Sequence, residues 1–289
     1  MVAGREENGA MNLYARRKFI NAFNLTASVL TTFFGLFFLV WILWELFAKG
    51  FAGLDWSLFV EDTPGPGSEG GGLRNAIVGS LLITLTGIFI GAPIGILSGI
   101  YLSEYGRGTW LAATVRFVSD ILLSAPSIVI GVFVYGIMVA PLGGFSGLSG
   151  AVALAIIALP VILRTTEDMM LLVPDTMREA AAALGAPRWK VILSVVLRAA
   201  RNGVLTGVLL AVARIAGETA PLLFTALNNQ FFSLDMTKPM ANLPVTIFNF
   251  AMGPYENWHD LAWAGSLLIT LVVLGLNIVT RAFLRGKKH

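Results

Sequence analysis

The chain has 289 residues, 56% of them hydrophobic and only 13% charged, with a formal net charge of +3 and no cysteine. Its mean hydropathy of +0.78 excludes an ordinary water-soluble domain, where charged residues make up about a quarter of the chain. Disulfide bracing is excluded outright, and the basic excess needs no nucleic-acid partner once its distribution along the chain is seen.

Residues 1–25 read as a basic cytoplasmic segment carrying Arg5, Arg16, Arg17 and Lys18. An apolar run follows at 26–47, long enough to cross a hydrocarbon core of roughly 30 Å, which takes about 20 helical residues. It lacks a small-residue cleavage site and so reads as a retained helix rather than a secretory signal. The stretch Pro64-Gly65-Pro66-Gly67-Ser68-Glu69-Gly70-Gly71-Gly72 is expected to be a flexible outer connection.

A second run spans 75–102, where Gly79, Gly87, Gly91, Gly95 and Gly99 give one smooth, packable face. Glu104, just beyond it, reads as a solvated helix end. The third and fourth runs are 117–140 and 145–163; the latter is the weakest, being short and containing Pro160. Pro93, Pro126, Pro160 and Pro221 all fall inside runs, where neighbouring helices can satisfy the freed carbonyls. None of the runs alternates as barrel strands do. Glu45, Asp120, Arg164 and Arg281 lie near run ends, where they can snorkel or pair.

Between the fourth and fifth runs lies a polar loop, 165–201. Arg178-Glu179 followed by four alanines forms helix strongly, and Gly185 with Pro187 stops it. A second, basic helix is expected over 188–201. The fifth run, 204–227, holds Arg214 ten residues in, about 15 Å deep at 1.5 Å per residue. An arginine there costs about 2.5–3.5 kcal/mol to insert and normally faces a bundle interior or a wet cavity. Glu218 is four residues on, hence expected on the same helical face, with Thr219 beside it. Two readings stay open: a guanidinium offered to a passing anion, whose planar fork suits oxyanions, or a structural ion pair inside the bundle. The sixth run is 261–284, leaving 285–289 as a cytoplasmic tail.

Sixteen of the twenty basic residues fall in segments that are internal if the N-terminus is internal, against Lys49, Arg74 and Lys238 outside. The positive-inside rule therefore puts both termini in the cytoplasm, around a membrane domain at 26–284. No phosphate loop of the GxxxxGK[ST] type and no HExxH metal site occurs, and the two histidines, His259 and His289, read as surface residues. No catalytic residue, metal ligand or cofactor is expected, so energy for any pumping has to come from elsewhere.

Glu179-Ala180-Ala181, three residues and Gly185 resemble the EAA loop of binding-protein-dependent ABC importer permeases. Downstream, Val195, Leu197 and Arg198 stand where the family pattern has isoleucine and a Leu-Pro pair, so Arg198 departs from the general pattern. The phosphate-specific branch is resembled more closely. It is matched by Tyr101-Leu102-Ser103-Glu104-Tyr105, by Asp120-Ile121-Leu122-Leu123-Ser124-Ala125-Pro126, and by Ala213-Arg214-Ile215-Ala216-Gly217-Glu218-Thr219-Ala220-Pro221. The resemblance implies an all-α, six-helix permease of the type I importer fold in a bacterial inner membrane, surrounded by lipid. It implies as partners a homologous permease, two cytoplasmic ATPase subunits and an external phosphate-binding protein, with phosphate as cargo. Glu179, Ala180, Ala181 and Gly185 would then couple the ATPase, and Arg214, Glu218 and Thr219 would line the substrate pathway. Another oxyanion (sulfate, molybdate or tungstate) and an ion-coupled carrier remain alternatives.

Overall fold

The structure, a computed structural model, describes residues 3–68 and 70–285. It divides into two units, 1–49 and 50–289. The first is essentially one helix, since α1 runs Ala3–Ala52 and is apolar enough to span from Arg16 onward. The helix thus reaches well into the 1–25 segment, because no proline interrupts residues 3–52. Of the expected tail, 286–289 lie outside the described residues.

In the second unit, α2 (Ser57–Val60) precedes α3 (Arg74–Glu104). The connection between them is more ordered than its glycines suggest. Gly72 N–H donates to the Asp62 carbonyl, Leu73 N–H to Leu58 and Arg74 N–H to Glu61. A β-carbon at Gly72 would collide with the carbonyls of Ser57 and Glu61. Glycine is there for close approach, which corrects the expectation of a freely flexible link. Beside it, buried Asn75 donates to Thr63 Oγ1 at 2.9 Å and to the Asn229 carbonyl at 2.8 Å, tying α3 to the loop after the fifth apolar run.

The glycine face of α3 packs on α6 (Gly147–Leu171). Ideal β-carbons at Gly87, Gly91 and Gly99 would lie 3.0, 3.0 and 2.7 Å from the carbonyl oxygens of Ala151, Ala155 and Leu163. Backbone cannot yield as a side chain can, so a β-carbon is excluded at Gly99 and tightly crowded at Gly87 and Gly91. Gly99→Val should force the two helices apart at a cost of about 1–3 kcal/mol, the usual range for overpacking. Thermal unfolding in detergent would show it, with Gly136→Ala, which meets nothing within 4 Å, as the harmless comparison.

The run expected to be weakest, 145–163, is part of the most buried span: 67% of the apolar window of α6 is buried. Its small residues and Pro160 are surrounded by helices on several sides, so neighbours compensate the proline. The run 117–140 is not one straight helix. It forms α4 (Trp110–Ser124) and α5 (Ser127–Leu142), bent by 108°. Pro126 supplies the cause: it donates no N–H, and it drives Ala125 to φ −67°, ψ 137°, outside the helical region. A π-helical stretch, Tyr135–Val139, lies inside α5.

The remaining elements are α7 (Asp175–Ala183), α8 (Arg188–Ile215), α9 (Ala220–Leu223), α10 (Leu243–Ala251) and α11 (Glu256–Arg285). Among the described residues five helices can cross a membrane by length and composition, six if the bent pair counts as one span. One buried cluster lies around Leu58, Leu73, Leu243 and Phe250, a second around Ile83, Leu154, Ala211 and Leu222, and a third around Met170, Val173, Val196 and Val204. They follow one another along the bundle, from the start of α3 to its end.

Candidate functional site

Two places carry the chemistry. The first is the polar loop. Its helix α7 follows Pro174 and ends at Ala183, capped by Leu184, after which Gly185 takes φ +80°. Gly185 N–H donates to Ala182 at 2.9 Å and Ala186 N–H to Ala181 at 3.3 Å. This pair of bonds is a Schellman closure, with the glycine in the left-handed position that only glycine occupies cheaply. The helix and turn are where the sequence puts them. The second helix is longer than 188–201: α8 rises without interruption into the fifth span, through a π-helical stretch at Ile192–Val196. Arg198 sits in continuous helix, where a proline would have removed a backbone donor.

Glu179, Ala180 and Gly185 are exposed, and Ala181 is half-buried against the Val191–Val196 cluster. Leu184 is 89% exposed and Trp189 61%, so the turn presents apolar side chains that the described residues leave uncovered. The other face of α7 is fastened by Arg178. Its Nε and Nη2 donate to Glu104 Oε1 at 3.2 and 2.8 Å, and Nη2 also reaches the Met170 carbonyl at 2.9 Å. The side chains are 14% and 8% exposed. Glu104, read from sequence as a solvated helix end, is therefore the buried acceptor of a charged pair. Removing one member of such a pair typically costs about 3–5 kcal/mol.

A second pair, with its carboxylate buried and its arginine half-buried, went unread in the sequence. Arg116 on α4 meets Glu167 on α6, Nη2 to Oε1 at 2.8 Å, with Glu167 only 3% exposed. The one signal available was a carboxylate within the final turns of an apolar helix. A charged pair thus ties α4 to α6, and another ties α7 to the end of α3.

The second place is the end of α8. Sequence reasoning continued this helix to residue 227, but it stops at Ile215, and Ala216–Thr219 are unwound before α9. Pro221 has no N–H to offer the Gly217 carbonyl, and glycine adds little helical preference of its own. Glu218 is accordingly not one helical turn above Arg214, and no ion pair joins the two among the described residues. The expected pair is corrected: Arg214 is exposed and Glu218 half-buried, each on different backbone.

The register of α8 against α6 gives the level of Arg214 along the bundle. Gly203 packs on Met169 and Gly207 on Thr165, so α8 and α6 run antiparallel with four residues matching four. Extending that register by seven residues brings Arg214 level with Ala158, near the middle of α6. Seven residues is also two helical turns, so Arg214 leaves α8 on the stripe that faces α6 at Gly207. A cationic residue in the last turn is favoured by the helix dipole. Thr219 is placed elsewhere, with Gly217 on an open cleft of about 480 Å³ lined also by Ser266, Thr270 and Asn277 of α11. Arg164, read as interfacial, is likewise exposed on α6.

Comparisons with known proteins agree with this architecture. Residues 91–286 match the family described as binding-protein-dependent transport system inner membrane component. The phosphate transport system permease protein PstA of Yersinia pestis is 58% identical over 275 residues, covering 95% of this chain and 93% of that protein. A protein of the same name from Pasteurella multocida is 58% identical over 94% of this chain and 96% of its own length. Among solved structures, a bacterial alginate ABC transporter chain aligns with TM-score 0.63 at 15% identity, over 90% of this chain and 93% of that one. A chain of the MetNI methionine ABC transporter, in an inward-facing conformation, aligns with TM-score 0.58 at 21% identity, over 72% and 94%. At such identities the likeness to these structures concerns the fold.

Proposed function

The chain belongs to the binding-protein-dependent transport system inner membrane component family, and from that premise we propose that it is the membrane permease subunit of an ATP-driven importer carrying inorganic phosphate into the cytoplasm. The observation that carries the cargo assignment is Arg214. It is a guanidinium without an ion-pair partner among the described residues. It stands at mid-depth where a span breaks, in a chain 58% identical to proteins named for phosphate transport.

The mechanism follows from what each region offers. Broken helices at the midplane expose polar backbone only where it lines a cavity or is covered by protein, so the gap after Ile215 is a place for a polar solute. Arg214 supplies two parallel N–H donors to an oxyanion, and its exposure lets the anion arrive and leave without breaking a protein ion pair. Glu218 and Thr219, on the unwound segment, border the same break; the carboxylate repels an anion and so favours its departure.

Energy enters through the 165–201 loop. A cytoplasmic ATPase subunit docks on the exposed α7 turn, with Glu179, Ala180 and Ala181 at the contact and Gly185 setting the turn. A homologous second permease completes the pathway, and an external binding protein delivers phosphate. With the loop internal, both termini lie in the cytoplasm, and the bent α4–α5 pair counts as one crossing.

The test is ATP-dependent uptake of radiolabelled phosphate by vesicles holding the purified complex, with sulfate, molybdate and tungstate as competitors. Uptake that requires ATP and is displaced only by unlabelled phosphate supports the assignment. Preferential transport of another oxyanion transfers the cargo to that ion, and uptake by this chain alone under an ion gradient would indicate a secondary carrier.

A further inference from the structure

The pair between Glu104 and Arg178 links elements 74 residues apart in the chain. Glu104 is the last residue of α3 and Arg178 lies in the middle of α7, the helix on which the proposed ATPase contact falls. The two elements are not packed flush. A pocket of about 420 Å³ lies between them, lined by Glu104, Arg107, Arg178, Ala182 and Arg188 among others. Across that gap the connection is made by charge. Arg178 spends Nε and Nη2 on Glu104 Oε1 and holds the carbonyls of Met170 and Val173 with the same fork. From the far side of the turn Arg188 donates to the Glu104 backbone carbonyl, and its guanidinium stacks 4.6 Å from the Tyr105 ring.

Residues on both sides of the Gly185 turn therefore converge on the end of one membrane helix. We propose that Glu104 is a positioning residue of the coupling element, which through Arg178 makes α3 move with α7. The role rests on the ATP-driven transport reading above. The continuous α8 would transmit displacement to the fifth span through the backbone, and the Glu104–Arg178 pair would transmit it to α3. Because α3 is locked to α6 by the glycine seam, those two helices would follow together.

The decisive comparison is phosphate imported per ATP hydrolysed by the whole reconstituted complex, for wild type, Glu104→Gln and Glu104→Asp. The glutamine variant keeps the shape but loses the charge; the aspartate variant keeps the charge. A fall of about tenfold in the ratio is expected for Glu104→Gln, within the usual range of site-to-site coupling, with recovery in Glu104→Asp.

The chain has no cysteine, so spin labels placed by Thr176→Cys on α7 and Leu97→Cys on α3 report the separation of the two helices. In wild type that separation should stay the same with and without ATP; in Glu104→Gln it should broaden. A ratio within twofold of wild type, or an unaltered label distance, would overturn the positioning role. Should Glu104→Gln not assemble, Arg178→Lys is read the same way, since it keeps the charge and loses the fork. The label distance in wild type and variant judges the pair whatever the cargo. A wild-type complex that imports no phosphate would instead count against the transport reading alone.

Discussion

Arg214→Ala should abolish ATP-dependent phosphate uptake while the complex still assembles. Arg214 is exposed and no ion pair is lost with it among the described residues, so truncation strands no buried charge and should leave folding intact. What disappears is, among the described residues, the one side chain at the α8 break able to place two charge-assisted donors on one oxyanion. Such bonds are worth about 1.5–3 kcal/mol each, so losing the fork should lower uptake at least about a hundredfold, since 1.4 kcal/mol is a factor of ten. Arg214→Lys keeps a point charge without the planar fork and should fall between the two. Vesicle uptake, read beside co-purification of the complex, separates transport from assembly. Uptake by the alanine variant within a few-fold of wild type would remove Arg214 from the pathway.

The same residue shows where the sequence was readable and where it was not. Its place along the fifth apolar run could be counted from hydropathy, and the α8–α6 register puts it level with Ala158. That Glu218 does not pair with it could not be found by counting, because i to i+4 spacing means one face only while the helix continues. Gly217 and Pro221 stand in the sequence, yet a helix that merely loosens at such residues and one that stops have the same composition. Pro126 poses the same difficulty. An apolar run looks unbroken on either side of it, although the two halves diverge by 108°.

Local signals fared better. The α3 glycine spacing states its packing outright, since a four-residue repeat of the smallest residue makes a groove only on a helix. Burial of α6 was hidden, because small residues and a proline look weak until the surrounding helices are known. Glu104 was misread for a related reason. A carboxylate at the end of an apolar run is ordinarily solvated, and what buries this one is an arginine 74 residues later. The α7 turn needed no distant partner and was fully legible: alanine-rich helix, glycine, then proline.

That turn supports the second large effect, Gly185→Val. Gly185 sits at φ +80° with open space around it, since an ideal β-carbon would meet nothing within 4 Å. Any penalty is therefore conformational and not a clash with a neighbour. A left-handed residue with a β-carbon costs roughly 1–2 kcal/mol, and a β-branched one is worse placed still. Spent at the Schellman closure, this strain breaks the bonds from Gly185 and Ala186 to Ala182 and Ala181 and shifts Leu184 and Trp189, the apolar side chains that the turn displays. At about 1.4 kcal/mol per factor of ten, phosphate imported per ATP should fall about tenfold or more. Gly185→Asn provides the contrast. Asparagine tolerates the left-handed region and the space admits it, so its coupling should stay within about twofold of wild type. Equal losses in both variants would mean that the site excludes side-chain bulk because a partner covers it. Wild-type coupling in Gly185→Val would mean that the turn does not transmit at all.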